Sequence, residues 1–160
     1  QISEAFRRKQ DTLHFIKKAE KDTLAVYKYP EGTLVDLNEA DTTELKKIPG
    51  IGSGIARMIV AYRKRLGGFY DMAQLKEVNY VDEDMLKWFK LGNTPIHRIN
   101  ANKAGLDKLR SHPYMNFYQA KVIIEYRRKK GKLKSLSQLS LYEEFTEKDL
   151  ERLSHYLAFD

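Results

Sequence analysis

The sequence has no cysteine, one tryptophan and four prolines in 160 residues. The lack of cysteine excludes a disulfide scaffold, a thiolate zinc site, an iron–sulfur cluster and a cysteine nucleophile together, and leaves the redox compartment open. No run approaches the ~18 consecutive apolar residues of a membrane span, and no charged-then-apolar leader stands at the start. The chain opens at Gln1 rather than Met, as expected of a processed or shortened product with room for an upstream signal or anchor, so localisation stays open. What is present is 42% apolar residues and 29 basic against 22 acidic side chains, a net charge of +7. A chain of this size buries about 70% of its unfolded surface, enough for a core without metal or disulfide. The positive balance suits a polyanionic partner, but many solvated proteins share it.

The chain contains itself twice. Shifted by 64 without a gap, it gives 13 identities over the 55 positions from Val35 to Phe89. Among them Asn38 falls on Asn102, Ala40 on Ala104, Pro49 on Pro113, Tyr62-Arg63 on Tyr126-Arg127, Gly67 on Gly131 and Gln74-Leu75 on Gln138-Leu139. The period is too long for a solenoid unit. The division that follows is a leader of residues 1–34, a first copy at 35–98 and a second at 99–160. Units of this length are marginal alone, so the copies are expected to pack on one another.

Within each copy the pattern is helical. In the first, Asn38 or Asp41 caps a short helix through Lys47, with Glu44 as a capping-box partner, and Pro49-Gly50 ends it. A second helix from Ser53 to Arg65 carries Ile55, Met58, Ile59 and Tyr62 at spacings of three and four. Gly67-Gly68 stops it. A third short helix holds Met72 and Leu75, and a fourth begins near Asp82 with Leu86 and Phe89 inside. The second copy repeats this with Leu109, then Ala120, Ile123 and Tyr126, then Leu136 and Leu139, and a capping box from Thr146 to Asp149 before Leu150 and Leu153. Phe89 aligns with Leu153, and Trp88 is placed at the contact between copies. In the leader, residues 4–21 read as a helix with Phe6, Leu13, Ile16 and Ala19 on one side. Thr23–Tyr29 reads as extended and Pro30-Glu31-Gly32 as a turn, with no chemistry in either.

The stretch Ile48-Pro49-Gly50-Ile51-Gly52-Ser53-Gly54 lies between two amphipathic helices. Gly50 and Gly52 permit a tight reversal with positive φ, and Ile51 plugs between the helices. The turn opens directly into a helix, so the amides of Gly52, Ser53 and Gly54 face outward at the positive end of a helix dipole, an arrangement suited to phosphate. Lys46, Lys47 and Arg57 add charge around it. The spacing is GxGxG without a preceding strand, which excludes a dinucleotide fingerprint, and no Gly-Lys-Ser/Thr follows, which excludes a nucleotide P-loop. The alternative is that the glycines only allow a sharp turn and bind nothing.

These residues, with Asn38-x-Ala40, Glu44-Leu45, Ala56, Ile59, Tyr62-Arg63, Gly68-Phe69 and Gln74-Leu75, resemble the helix-hairpin-helix domain of ComEA-type competence proteins. The resemblance covers Val35 to Leu91 and, through the repeat, extends more weakly over Ile99–Phe159. It implies an all-α fold of tandem two-hairpin units preceded by the helical and extended leader. It also implies non-catalytic, sequence-independent binding of double-stranded DNA by hairpin amides on phosphates, and DNA uptake or handling at the cell envelope or periplasm. Gly50, Ile51, Gly52, Ser53, Gly54, Lys46, Lys47 and Arg57 are the expected contacts. Three of the four hairpins depart from the pattern: Val78-Asn79-Tyr80-Val81-Asp82 has no glycine, Pro113–Tyr118 replaces the glycine turn, and Leu141–Phe145 contains Glu143-Glu144, which repels phosphate. Binding is therefore expected to be weak and salt-sensitive. One hairpin on about three or four phosphates gives a log–log salt slope near −3.

A second basic cluster, Arg127, Arg128, Lys129, Lys130 and Lys132, ends the second copy's long helix. It is either an additional phosphate patch or a solvated helix end where cations suit the dipole. Tyr114, Phe117 and Tyr118 either stack bases, present a protein-binding face, or fill the space of a lost glycine turn. The four histidines show no metal-ligand spacing, and Asp82-Glu83-Asp84 stands where a helix start favours acids. No cofactor, metal or small-molecule substrate is expected. Base-excision glycosylases share the hairpin but need a larger helical domain, for which the repeat leaves no room. The competing reading is a protein-interaction or scaffolding module with degenerate hairpins and other proteins as partners.

Overall fold

The computed structural model describes residues 3–13 and 27–160. A helix over residues 4–13 (α1) leads, with Phe6 and Leu13 exposed. Ile16, Ala19 and most of the expected extended stretch lie outside the described residues. The turn at Pro30–Gly32 forms as expected: the Thr33 amide donates to the Pro30 carbonyl at 3.2 Å, and Gly32 takes φ 89°.

The first unit runs β1 (Val35–Asp36), α2 (Thr42–Leu45), α3 (Ser53–Leu66), two 3₁₀ helices η1 (Met72–Glu77) and η2 (Glu83–Trp88), and β2 (Phe89–Lys90). The second runs β3 (Ile99–Asn100), α4 (Leu106–Arg110), α5 (Phe117–Lys130), η3 (Leu136–Leu139, 3₁₀), α6 (Glu147–Leu153) and β4 (Leu157–Ala158). Among the described residues the fold is helical apart from two parallel bridges of two residues each. Val35 stands opposite Phe89 and Ile99 opposite Leu157, tying the start of each unit to its end. One continuous core includes Leu45, Ile48, Ile51, Ala56, Ile59 and Leu75 from the first unit and Leu109, Ala120, Ile123, Leu139 and Leu153 from the second, all without exposed surface.

The polar identities of the repeat hold this fold together. Asn38, rather than capping α2, clamps the peptide of Phe69: its Nδ2 donates to the Phe69 carbonyl at 2.9 Å and its Oδ1 accepts the Phe69 amide at 2.7 Å. Asn102 does the same to Leu133, at 2.8 Å both ways. Asp41 is the cap of α2, accepting the Glu44 amide. Arg63 donates to the carbonyls of Leu37 and Ala40, and Arg127 donates to that of Ala104. These groups replace backbone partners that short helices leave unpaired, which is why they repeat when most surface residues do not.

The ungapped register fails at one place. The second unit reaches its closing bridge four residues later than the first, so Leu157, not Leu153, occupies the place of Phe89. The cause is α6, a seven-residue α-helix with a Thr146–Asp149 capping box and a turn after it, where the first unit has a six-residue 3₁₀ helix leading straight into β2. Leu153 is still core.

That longer ending delivers Tyr156 to the junction between the units. Its hydroxyl donates to the Gly68 carbonyl at 2.7 Å and accepts from Gln74 Nε2 at 2.7 Å. The second Nε2 hydrogen of Gln74 goes to Tyr114 at 2.9 Å, and Tyr114 and Tyr62 both donate to Glu77 Oε1. Burial pushes all three phenols up from their ordinary value, so they stay neutral donors. Tyr70 stacks on His155, rings 3.7 Å apart. Trp88 does not seal this junction. It lines a cavity of about 490 Å³ with Tyr29 of the leader and with Pro49 and Met85 of the first unit.

Candidate nucleic-acid interface

The turn between α2 and α3 is closed by the Ile51 amide, which donates to the Ile48 carbonyl at 3.0 Å. Gly50 makes the reversal with φ 88°, where an L side chain is strained. Gly52 does not share that role: it is the N-cap of α3 with φ −97°, an extended conformation open to any residue. Ile51 has no exposed surface. Its side chain is the expected pin between the helices, and with its amide also bonded it offers no donor to a phosphate.

The three residues that follow are exposed. Gly52 supplies no side-chain cap to α3, and no acceptor among the described residues takes the amides of Gly52, Ser53 or Gly54. A Cβ built at Gly52 or at Gly54 meets no atom within 4 Å. Neither glycine is therefore required by conformation or by packing inside the chain. What their missing side chains provide is open access to three unpaired amides at the start of a 14-residue helix. Arg57 is exposed one turn along, and Lys46 and Lys47 are half-buried below. Among the described residues none of these three cations is in an ion pair. Lys47 also faces the ring of Tyr29, its Nζ 5.8 Å from the centroid.

The other three hairpins keep the turn and cap the helix start with a side chain, which α3 lacks. In Val78–Asp82 the Val81 amide donates to the Val78 carbonyl as Ile51 does to Ile48, and Tyr80 takes the place of Gly50 at φ 69°. Asp82 then caps η2, accepting the Met85 amide, with Glu83 and Asp84 beside it. In Pro113–Tyr118, Asn116 and Gln119 form a reciprocal capping box at 2.9 and 3.0 Å on α5. Thr146 and Asp149 do so on α6. A side chain caps each of these helix starts.

The second unit's first hairpin is also built into the junction. His112, Tyr114 and Met115 are buried, and His112 Nε2 meets the Leu66 carbonyl at the end of α3. Tyr114 thus fills space, whereas Phe117 and Tyr118 remain exposed. Sequence reasoning missed His112, Gln74 and Tyr156 as a set, because their pairing runs between copies.

The second basic cluster surrounds the end of α5, on the other unit from the glycine turn. Arg128, Lys129 and Lys132 are exposed, while Arg127 is held by the Ala104 carbonyl and Lys130 lies over Tyr126 and Tyr142, 5.5 and 5.9 Å from their centroids. Arg127, Arg128 and Lys132 line a shallow cavity of about 440 Å³ with Asn102, Ile124 and Gly131. Among the described residues no three His, Asp or Glu side chains are placed to hold a metal, and no helix is long and apolar enough to cross a membrane.

Residues 31–89 and 94–158 each match the helix-hairpin-helix motif. The chain belongs to the helix-hairpin-helix family. Its curated relatives include endonuclease/exonuclease/phosphatase family domain-containing protein 1 of Mus musculus, 27% identical over 154 residues, and that of Danio rerio, 28% identical over 127 residues. These alignments cover 76% and 66% of this chain but 27% and 23% of the relatives. The chain thus spans about a quarter of the length of the proteins it matches. No solved structure matches it. Tandem helix-hairpin-helix motifs are consistent with nucleic-acid binding.

Proposed function

We propose that the chain is a non-catalytic module that binds double-stranded DNA without sequence preference, weakly and in a salt-sensitive manner. The Gly52, Ser53 and Gly54 amides take phosphate oxygens, with Arg57, Lys46 and Lys47 around them. The observation that carries this reading is the pair Gly52 and Gly54: glycine is unnecessary there for the fold, and its absent side chain opens unpaired amides to an approaching backbone. Phosphate contact through amides carries no sequence information, which is the basis for expecting no preference. The ComEA-type resemblance extends the reading to DNA handling, of which uptake is one form.

The test is fluorescence anisotropy of a labelled duplex with Gly52→Val and Gly54→Leu combined. The open space at both positions leaves the fold intact, to be checked by circular dichroism. Affinity is expected to fall at least about tenfold, the size of one lost hydrogen bond to a charged group. Unchanged affinity with an unchanged salt slope removes the hairpin as the site.

A protein-contact role for the second unit is favoured by a different observation: Leu141 is 95% exposed and Tyr118 69% exposed, on the unit whose two hairpins both lead into side-chain-capped helices. No duplex binding at about 100 μM protein in low salt, the weak end of non-specific affinities, shifts the weight to that reading.

A further inference from the structure

The segment before the first unit holds a cation under the glycine turn. Lys28 Nζ lies 2.5 Å from the Lys46 carbonyl oxygen, 3.2 Å from that of Ile51 and 3.4 Å from that of Ile48. The chain is pinned there by the Tyr29 amide, which donates to the Lys47 carbonyl at 2.7 Å. Three peptide oxygens from one tight turn thus converge on a single ammonium. Lys46 is the C-cap of α2, so the same point is the negative end of that helix.

We infer that Lys28 is a positioning residue for the phosphate site, a cation that holds the α2–α3 turn in the form that presents its amides. This rests on the reading of Gly52–Gly54 as the DNA contact. The route is covalent and short. The carbonyl of Ile51 and the amide of Gly52 belong to one peptide unit, so an ammonium on the oxygen polarises that N–H toward a phosphate on the opposite side. Without a positive charge, three like-oriented carbonyl dipoles crowd one point and the turn relaxes. Lys28 lies before the residues that match the family motif, which begin at 31. A ring of backbone carbonyls is also the chemistry that holds a bare monovalent metal ion, and this gives a specific readout: a chain lacking the ammonium should accept such an ion in its place.

The experiment uses the full chain with Lys28→Met and compares potassium chloride with tetramethylammonium chloride at equal ionic strength. Tetramethylammonium has no donor and is too bulky to enter. The unmutated chain is expected to bind a labelled duplex equally in both salts. The variant is expected to lose about tenfold in tetramethylammonium, the worth of a charge-assisted hydrogen bond, and to regain it in potassium. Amide shifts of Gly52 and Ser53, recorded without DNA, should move with potassium in the variant alone. Equal loss in both salts would make Lys28 a further charge toward DNA and overturn the inference, as would no loss with unmoved amides. In the unmutated chain the Lys28 ammonium should exchange its protons more slowly than the other lysines; fast exchange there counts against the inference even if the variant fails to fold. Failure of the unmutated chain to bind any duplex defeats the DNA reading separately, and the potassium dependence of the amide shifts still decides what Lys28 does to the turn.

Discussion

His112 Nε2 lies 2.8 Å from the carbonyl oxygen of Leu66, joining the first hairpin of the second unit to the last turn of α3. Its Nδ1 accepts the Tyr114 amide at 3.0 Å, so the single ring proton sits on Nε2 and the imidazole is neutral. Burial lowers its pKa from 6.5 to about 4, with Arg152 and Arg65 adding to the effect against the Leu66 bond. The unfolded chain therefore takes up a proton at higher pH than the folded one. Stability is full above the unfolded value and falls as the pH drops across that window, by up to about 1.4 kcal/mol per unit. Urea denaturation at pH 7 and pH 5 should differ by roughly 2 kcal/mol, and His112→Gln should remove most of that difference. A flat profile would show that the imidazole is solvated.

Stability and ligand affinity should move in opposite directions at Gly52. Aspartate there caps α3 and places a negative charge at its positive end, worth roughly 0.3–1 kcal/mol of added stability. The same carboxylate covers the amides and repels phosphate. Gly52→Asp is expected to raise the melting temperature while abolishing measurable duplex binding; a rise without loss of binding would move the contact elsewhere.

Gln74 has all its hydrogen-bonding capacity in use: Oε1 accepts the amides of Tyr70 and Asp71, and Nε2 serves Tyr114 and Tyr156. Gln74→Leu leaves buried polar groups on both units without partners and should cost about 2–4 kcal/mol by denaturant titration. Tyr156→Phe, which removes one donor, should cost nearer 1 kcal/mol.

Tyr80 is 80% exposed and holds the left-handed conformation that Gly50 holds in the first hairpin. Tyr80→Gly relieves that strain at little loss of packing and should stabilise the chain by about 1 kcal/mol. Duplex affinity should not change. A destabilised variant would mean that the ring makes contacts that offset its backbone.

The long helices α3 and α5 were legible because 14 residues give a 3.6-residue stripe room to repeat, and the caps at Asp41 and Thr146 because side chains of that type favour helix starts. The glycine turn was legible from Gly50, although the expected positive φ at Gly52 is absent. Met72–Glu77 and Glu83–Trp88 were expected as short helices and are 3₁₀, a distinction the sequence does not carry since six residues do not separate a period of 3.0 from one of 3.6. The two-residue bridges have no period to read. Lys28 was invisible for another reason: its partners are peptide oxygens, which every residue carries, and only the path of the chain brings three of them together. The same holds for the junction, where His112 replaces Ile48 in the alignment and looks like drift until Leu66 is seen opposite it.

The parallel bridge of Val35 with Phe89 has a consequence for how such a chain can grow. It places the entrance and the exit of the unit on neighbouring strands about 4.8 Å apart and pointing the same way. A whole unit can then be spliced into the path at that point without rerouting what precedes or follows. Ile99 and Leu157 repeat the arrangement. The second unit thus needs no new connection geometry, and its first hairpin serves as a buttress for the end of α3.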